Sequence, residues 1–513
     1  MRSKNSIKNI TVGILTQVII TLLGFLSRKV FLDSLGTEYL GINGLLCNVL
    51  SMLSLAEGGI GASIIYNLYK PLAEDDREKV ISLVQLYKRV YGIIAIAIFI
   101  LSMGLYPFLH LFIKDGTSIK YLWLVYFIFV IKNVISYLNA HKWSLINADQ
   151  KGYVLARYNL VFNIISTSCK ILILKITSNY ILYLFIELLI FIIQNIWNGK
   201  VVNNRYGYIK TKNKYKVDED TRLNIKTNVK AMFLHNVAQY CVFGTDNLLV
   251  SSFINLKTVG IYSNYTMITG QLSALLEPVL NGVGASVGNL LATEGKEKKY
   301  KVFKVVYFVN FWIYSIAVIF LYNLLEPFIC WWFGKNLLLD RFTFIVILIN
   351  FYLTGLRITI NIFKTKAGIF SPDKYFAILE SIINLIASLI LVRYLGLVGI
   401  FLGTTISTIS IPIWIQSKLV YNKIFNKSVF EYFKKYLTYL LLTLTVGYIS
   451  SYICNLIVIN NIFIGLCIRG IICITIPSVI YITLFFNTTE FKYLFGFVRG
   501  SVSKVSNNLS NVK

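Results

Sequence analysis

Long apolar blocks separated by short basic segments constrain this chain more than any other feature. Fourteen blocks are read as candidate spans: about 9–32, 39–68, 90–113, 119–140, 155–178, 180–202, 228–254, 259–291, 303–325, 342–364, 374–393, 397–420, 436–457 and 462–486. A hydrocarbon core about 30 Å thick is crossed by about 20 helical residues, each rising 1.5 Å. No water reaches the backbone there, so each block must satisfy its own N–H and C=O groups, which a helix does and an isolated strand does not. The composition agrees. The chain is 56% hydrophobic and 14% charged, against about 45–50% and about 25% in soluble domains.

The 513 residues carry a formal net charge of +27. In a soluble chain that excess would suggest nucleic acid. Here the basic residues sit between the blocks, so they report topology and contact with anionic lipid headgroups, and no nucleic-acid partner is expected. With the N-terminus inside, the cytoplasmic segments hold 36 of the 50 Lys and Arg, the opposite loops hold 9, and 5 lie within spans. An even number of spans returns the C-terminus to the cytoplasm. The run after Arg2, Lys4 and Lys8 has no small-residue cleavage site and ends at Arg28-Lys29, so it is read as a retained first span. The seven cysteines form no CxxC pair and the three histidines are scattered, which speaks against metal. No P-loop, Rossmann fingerprint or serine-hydrolase elbow occurs, and no outer loop exceeds about twenty residues. A transporter rather than an enzyme is expected.

An internal repeat organises the chain. Gly59-Ile60-Gly61-Ala62-Ser63 recurs as Gly282-Val283-Gly284-Ala285-Ser286, and each copy precedes a charged connector. Upstream, Gly41-Ile42 matches Gly260-Ile261. Two matches in the same order divide the chain into a six-helix lobe (1–205), a cytoplasmic basic loop (206–227), a second six-helix lobe (228–421), two additional helices (422–486) and a cytoplasmic tail (487–513). Parallel repeats of this kind place substrate where the halves meet.

A charge at mid-bilayer costs about 2.5–3.5 kcal/mol on insertion scales, so such residues face a bundle interior or a wet cavity. Arg28, Lys132, Lys170 and Arg357 are read as substrate-binding residues of one cationic chamber; Lys132 and Arg357 fall in equivalent spans of the two lobes. The competing reading is that each cation pairs with a carboxylate or a helix C-terminus for structure alone. Polar stripes at helical spacing supply the expected cavity lining: Gln17 and Thr21 with Arg28, His235 and Gln239 with Asp246, and Asn350, Thr354 and Asn361 with Arg357. Glu57, Asp246 and Glu277 are the candidates for ion coupling or gating, and Arg28 and Asp246 occupy matching places that would let them pair across the lobes. No catalytic or metal residue is assigned.

Three groups of residues carry a family resemblance. They are Asp33-Ser34-Leu35-Gly36-Thr37-Glu38-Tyr39-Leu40-Gly41-Ile42 with Leu55-Ala56-Glu57-Gly58-Gly59-Ile60-Gly61-Ala62; Tyr66-Asn67-Leu68-Tyr69-Lys70-Pro71; and Thr245-Asp246-Asn247-Leu248 with Val259-Gly260-Ile261-Tyr262-Ser263-Asn264-Tyr265. Together they resemble the polysaccharide transporter family, the Wzx-type repeat-unit flippases of the MOP (MATE-like) superfamily, to which the lipid II flippases are cousins. The resemblance covers the first twelve spans. It implies an all-α membrane protein of about 14 transmembrane helices, two pseudo-symmetric six-helix lobes plus two C-terminal helices, in a bacterial inner membrane. It implies alternating-access transfer of undecaprenyl-diphosphate-linked oligosaccharide repeat units to the outer leaflet for capsule, O-antigen or other surface polysaccharide. Partners would be that lipid-linked oligosaccharide, membrane lipids, and the glycan polymerase and glycosyltransferases of the same pathway. No cofactor is implied beyond coupling to a Na⁺ or H⁺ gradient. In the lipid II cousins an arginine after a Gly-Phe, as at Gly24-Phe25-Leu26-Ser27-Arg28, belongs to the substrate cavity. An ion-coupled multidrug exporter of the MATE type and a lipid II flippase are the alternatives; the former favours carboxylates in its chamber, and here basic stripes outnumber acidic ones.

Overall fold

The computed structural model describes residues 2–496 except 59, 114–120, 282–283, 368, 370–373 and 458, with some helical side chains also left undescribed, among them those of residues 2–11, 235, 239 and 281–286. Gly59 of the first repeat motif, Gly282 and Val283 of the second, the side chains of His235 and Gln239, and most of the C-terminal tail therefore lie outside the described residues. Among the described residues every regular element is a helix. In chain order these are α1 (Arg2–Leu35), α2 (Thr37–Leu53), α3 (Ile60–Ala73), α4 (Arg77–Leu105), α5 (Leu122–Leu138), α6 (Ala140–Ala148), α7 (Tyr153–Thr177), α8 (Tyr180–Arg205), α9 (Glu219–Phe243), α10 (Asp246–Leu249) and α11 (Leu256–Asn281). They continue with α12 (Gly284–Thr293), α13 (Lys296–Trp332), α14 (Arg341–Lys366), α15 (Lys374–Leu395), α16 (Leu397–Ser410), α17 (Pro412–Val420), α18 (Phe430–Leu456) and α19 (Ile462–Phe485).

Ten of these helical segments are long and apolar enough to cross a membrane, and an eleventh results if α5 and α6, bent by 46°, form one broken span. Of the remaining sequence blocks, 39–68 and 228–254 are interrupted, and 259–291 contains residues 282–283, which lie outside the described residues. A 3-10 turn at Ser54–Glu57 and Gly58, at φ 59°, separate α2 from α3. Only glycine adopts that left-handed conformation without a Cβ penalty. Gly244-Thr245 separates α9 from α10. Helix starts are set by side chains that accept the orphan N–H groups of the first turn. Asp76 accepts from Lys79 N, Asn179 from Leu182 N, Asp218 from Thr221 N, Asp340 from Thr343 N and Asn461 from Ile464 N.

The chain divides into two compact units, residues 1–264 with 392–400, and residues 265–391 with 401–513. In the first unit α1 packs along α7, α7 along α8, α8 along α5 and α5 along α4. A reciprocal close crossing joins α2 to the start of α11. A Cβ on Gly41 would lie 2.1 Å from the Leu256 carbonyl oxygen, and one on Gly260 would lie 2.1 Å from the Thr37 carbonyl oxygen. The two glycines each meet the carbonyl four residues before the other, so the crossing has local two-fold symmetry. Small residues at such crossings let helix backbones touch where lipid supplies no hydrophobic drive.

The second unit is built around aromatic rings. Phe303, Tyr307, Phe311, Tyr421, Tyr432, Tyr439 and Tyr481 are buried together, and Phe311 stacks on Tyr439 at 4.0 Å. A buried hydroxyl chain ties the last two helices to the unit. Tyr352 on α14 bonds Thr443 on α18 at 2.9 Å, Thr443 donates to Ser315 on α13 at 3.0 Å, and Ser315 bonds Tyr481 on α19 at 2.5 Å. Four helices thus satisfy one another's polar atoms in an apolar surrounding, where an unpaired hydroxyl would be costly.

Candidate functional site

The first unit gathers most of the basic residues that the sequence marks as out of place in an apolar run. Glu187 is the one acidic residue of α8. Both Lys132 on α5 and Lys170 on α7 converge on it. Lys132 Nζ donates to Glu187 Oε1, and Lys170 Nζ donates to Oε2 at 3.1 Å. Two ammonium groups therefore share one carboxylate, and the triad keeps a formal charge of +1. Lys170 is the deeper lysine and also sits 5.1 Å above the Tyr183 ring. Lys132 lies 5.8 Å from the Phe191 ring, and its side chain is 35% exposed, against 16% for Lys170. Lys132 is thus the more accessible end of the cluster.

Arg28 on α1 has no carboxylate partner among the described residues. Its Nη2 donates to the Ser263 carbonyl at 2.5 Å and to Ser263 Oγ at 3.1 Å, while Nε is buried without a hydrogen-bond partner. Phe31, one turn further along α1, packs edge-on against Tyr183 at 5.3 Å, and Tyr183 in turn faces Lys170. A guanidinium held by a neutral carbonyl and hydroxyl keeps its charge uncompensated, which suits a fork that binds phosphate or carboxylate.

In the second unit Arg357 on α14 donates to Glu380 Oε1 on α15 at 3.1 Å, with both side chains only about a tenth exposed. Glu187 stands on α8, whereas Glu380 stands on α15. The polar stripe beside Arg357 is dispersed. Asn350 donates to the Phe401 carbonyl at 2.9 Å and accepts from Thr405 at 2.7 Å, Thr354 is exposed, and Asn361 is half-buried.

The other sequence candidates are placed as follows. Thr21 donates to the Gln17 carbonyl within α1 at 2.8 Å, so part of this stripe is internal to the helix. Glu57, in the 3-10 turn, accepts from Tyr91 OH at 3.0 Å. Asp246 meets Tyr262 OH at 3.5 Å, and its Oδ1 is buried without a partner. Arg28 and Asp246 form no ion pair, each being engaged by α11 instead. Glu277 is exposed on α11. No group of three or more His, Cys, Asp or Glu residues that could hold a metal is found among the described residues.

Sequence reading missed Glu187 and Glu380, the carboxylates that pair with three of the four cations. A signal existed: each is an acid set within an apolar helix, which insertion energetics disfavour as strongly as a base. A second feature invisible in the sequence is an apolar groove of about 630 Å³ in the second unit. It is lined by α11, α13 and α19 residues, including Leu272, Trp312, Ile316, Phe320 and Ile474, together with Leu494.

No protein-family model and no curated protein matches the sequence. Solved structures do match the fold. The lipid II flippase MurJ in an inward closed conformation aligns at TM-score 0.65 and 15% identity, covering 92% of this chain and 98% of that one. An inward-facing multidrug resistance MATE transporter of the MOP superfamily aligns at 0.60 and 14%, covering 77% and 96%. A MOP-superfamily transporter from Pyrococcus furiosus, whose reverse-polarity binding pocket suggests a different function, aligns at 0.56 and 13%, covering 83% and 97%. The chain is an all-α, multi-pass membrane protein with the fold shared by these flippases and exporters.

Proposed function

We propose that the chain is a flippase for a polyprenyl-diphosphate-linked oligosaccharide, moving the headgroup from the cytoplasmic to the outer leaflet by alternating access. The observation that carries this reading is the cationic excess of the first unit: among the described residues, two lysines share a single carboxylate and Arg28 has none. A diphosphate would be received by exchange. Lys132, the more exposed lysine, turns from Glu187 to the phosphate oxygens while Lys170 keeps the carboxylate neutralised, and the Arg28 fork leaves a carbonyl for a bidentate anion. Each step replaces one charge-assisted bond by another, so the barrier stays low.

The apolar groove of the second unit suits a polyprenyl tail, which stays in hydrocarbon because each buried CH₂ contributes about 0.8 kcal/mol. The fold likeness to a lipid II flippase supports a lipid-linked substrate. The charge pattern of the loops supports an orientation with both termini in the cytoplasm of a bacterial inner membrane. One observation favours the cation-exporting alternative: the Asp246 carboxylate has an unpaired buried oxygen, as a proton- or Na⁺-binding acid would. We assign that group, with Glu57 and Glu277, to coupling.

Deletion of the gene tests the reading. Lipid-linked repeat units should then accumulate on the inner leaflet, out of reach of externally added glycosidase. Unchanged outward movement would remove the flippase assignment. A reporter fused after Lys216 should be active only on the cytoplasmic side.

A further inference from the structure

A second concentration of positive charge lies outside the Glu187 cluster and shares no residue with it. A cavity of about 590 Å³ opens in the first unit where α4, the α5–α6 bend, the end of α8 and the segment 209–211 meet. Lys88, Lys142 and Lys210 line it, together with His141, and no acidic side chain does. None of the three lysines takes part in a salt bridge among the described residues. His141 is 4% exposed, and its Nδ1 is buried without a hydrogen-bond partner.

The wall that brings Lys210 and Thr211 to the cavity is fixed in place. Gln85 on α4 uses both ends of its amide on the chain: Nε2 donates to the Asn213 carbonyl at 2.7 Å, and Oε1 accepts from Tyr215 N at 3.3 Å. Lys79 pairs with Asp218 at 3.2 Å, and Tyr206 OH donates to Asp149 at 2.6 Å. The basic segment is thus strapped across the unit at two points on α4 and one beside α6. Three ammonium groups confined around one polar cavity repel one another, and a buried imidazole nitrogen lacks its partner. Both penalties are relieved by an anion with several acceptor oxygens. The volume suits a small molecule rather than a bare ion.

We propose that this cavity is a binding site for a phosphate-bearing anion, with Lys88, Lys142 and Lys210 as its charge partners and His141 as a hydrogen-bonding wall. The site lies at the end that the proposed orientation puts in the cytoplasm, so its ligand comes either from soluble phosphate esters or from a lipid headgroup.

Calorimetry on the full chain in phosphatidylcholine nanodiscs, titrated with inorganic pyrophosphate, and native mass spectrometry from phosphatidic-acid nanodiscs separate those sources. Pyrophosphate binding that weakens at least tenfold in Lys88→Gln/Lys142→Gln/Lys210→Gln assigns a soluble ligand. Retention of phosphatidic acid by the native chain, lost in the triple variant, assigns a lipid headgroup. Lys210→Gln alone, on an exposed side chain, leaves the fold intact and should weaken either ligand severalfold. Equal binding by native and variant chains, or binding of neither probe by the native chain, overturns the proposal.

Discussion

Replacing Glu187 by Gln is the most informative single perturbation of the cationic cluster. Gln is isosteric but cannot neutralise Lys132 and Lys170, so the formal charge of the triad rises from +1 to +2. Glu187 accepts one charge-assisted bond from each lysine. Such bonds contribute about 1.5–3 kcal/mol each. Lys170 is 16% exposed and sits at the upper end of that range, whereas Lys132, at 35%, is screened and sits at the lower end. The expected loss on Glu187→Gln is therefore about 4–5 kcal/mol, measured by reversible unfolding in mixed micelles. Adding Lys170→Met removes the buried charge that the first change orphaned. The double variant should recover at least 1 kcal/mol, a non-additivity expected of groups in one network. A Glu187→Gln variant as stable as the native chain to within about 0.5 kcal/mol, or a strictly additive pair, would refute the account of a carboxylate shared by two lysines.

Glu380→Gln should cost about 3–5 kcal/mol, because it leaves Arg357 buried without its counter-charge, and the same unfolding assay reads it. Gly41→Ala and Gly260→Ala each force a methyl against a carbonyl oxygen and should each destabilise by about 1–3 kcal/mol; the pair should be less than additive, since one relaxed crossing accommodates both. Glu490, in the short helical segment 489–496 that follows α19, gives a pH signature. Burial raises its pKa, but hydrogen bonding to Lys435 at 2.6 Å and the Lys435 charge outweigh that, taking it from 4.5 to about 2. A depressed carboxylate stabilises the fold above its unfolded pKa and ceases to do so as pH falls through the folded one. This contribution, at most about 3 kcal/mol, should be complete above pH 4.5 and decline towards pH 2, and the Glu490→Gln variant should lack that portion of the unfolding-midpoint profile.

Periodicity and apolar length made the helical membrane fold legible, because both follow from local geometry and the thickness of a bilayer. Interruptions were less legible. Gly58 and Gly244 look like ordinary glycines in an apolar run, and only the packing of neighbouring helices decides that one turns left-handed and the other ends a helix. The basic residues of the site stood out, since a charge in an apolar run is conspicuous. Their partners did not, because the pairing of Lys132 with Glu187 depends on which helices become neighbours. The repeat expected from the sequence links Lys132 to Arg357 but gives no hint that Arg357 takes its acid from α15. The strap held by Gln85 is likewise a tertiary feature, made of an amide whose partners lie far along the chain. Conversely, the match of Gly41 with Gly260, read as a trace of duplication, marks the two residues at a close crossing of α2 and α11.

Transport by the purified chain tests the central claim most directly. In proteoliposomes loaded on one leaflet with a fluorescent undecaprenyl-diphosphate oligosaccharide, the native chain should move the headgroup to the opposite leaflet, as measured by its loss to a membrane-impermeant quencher. Arg28→Ala should slow that movement at least tenfold at equal incorporation. Headgroup movement no faster than in protein-free liposomes, or a rate unaltered by Arg28→Ala, would contradict the account.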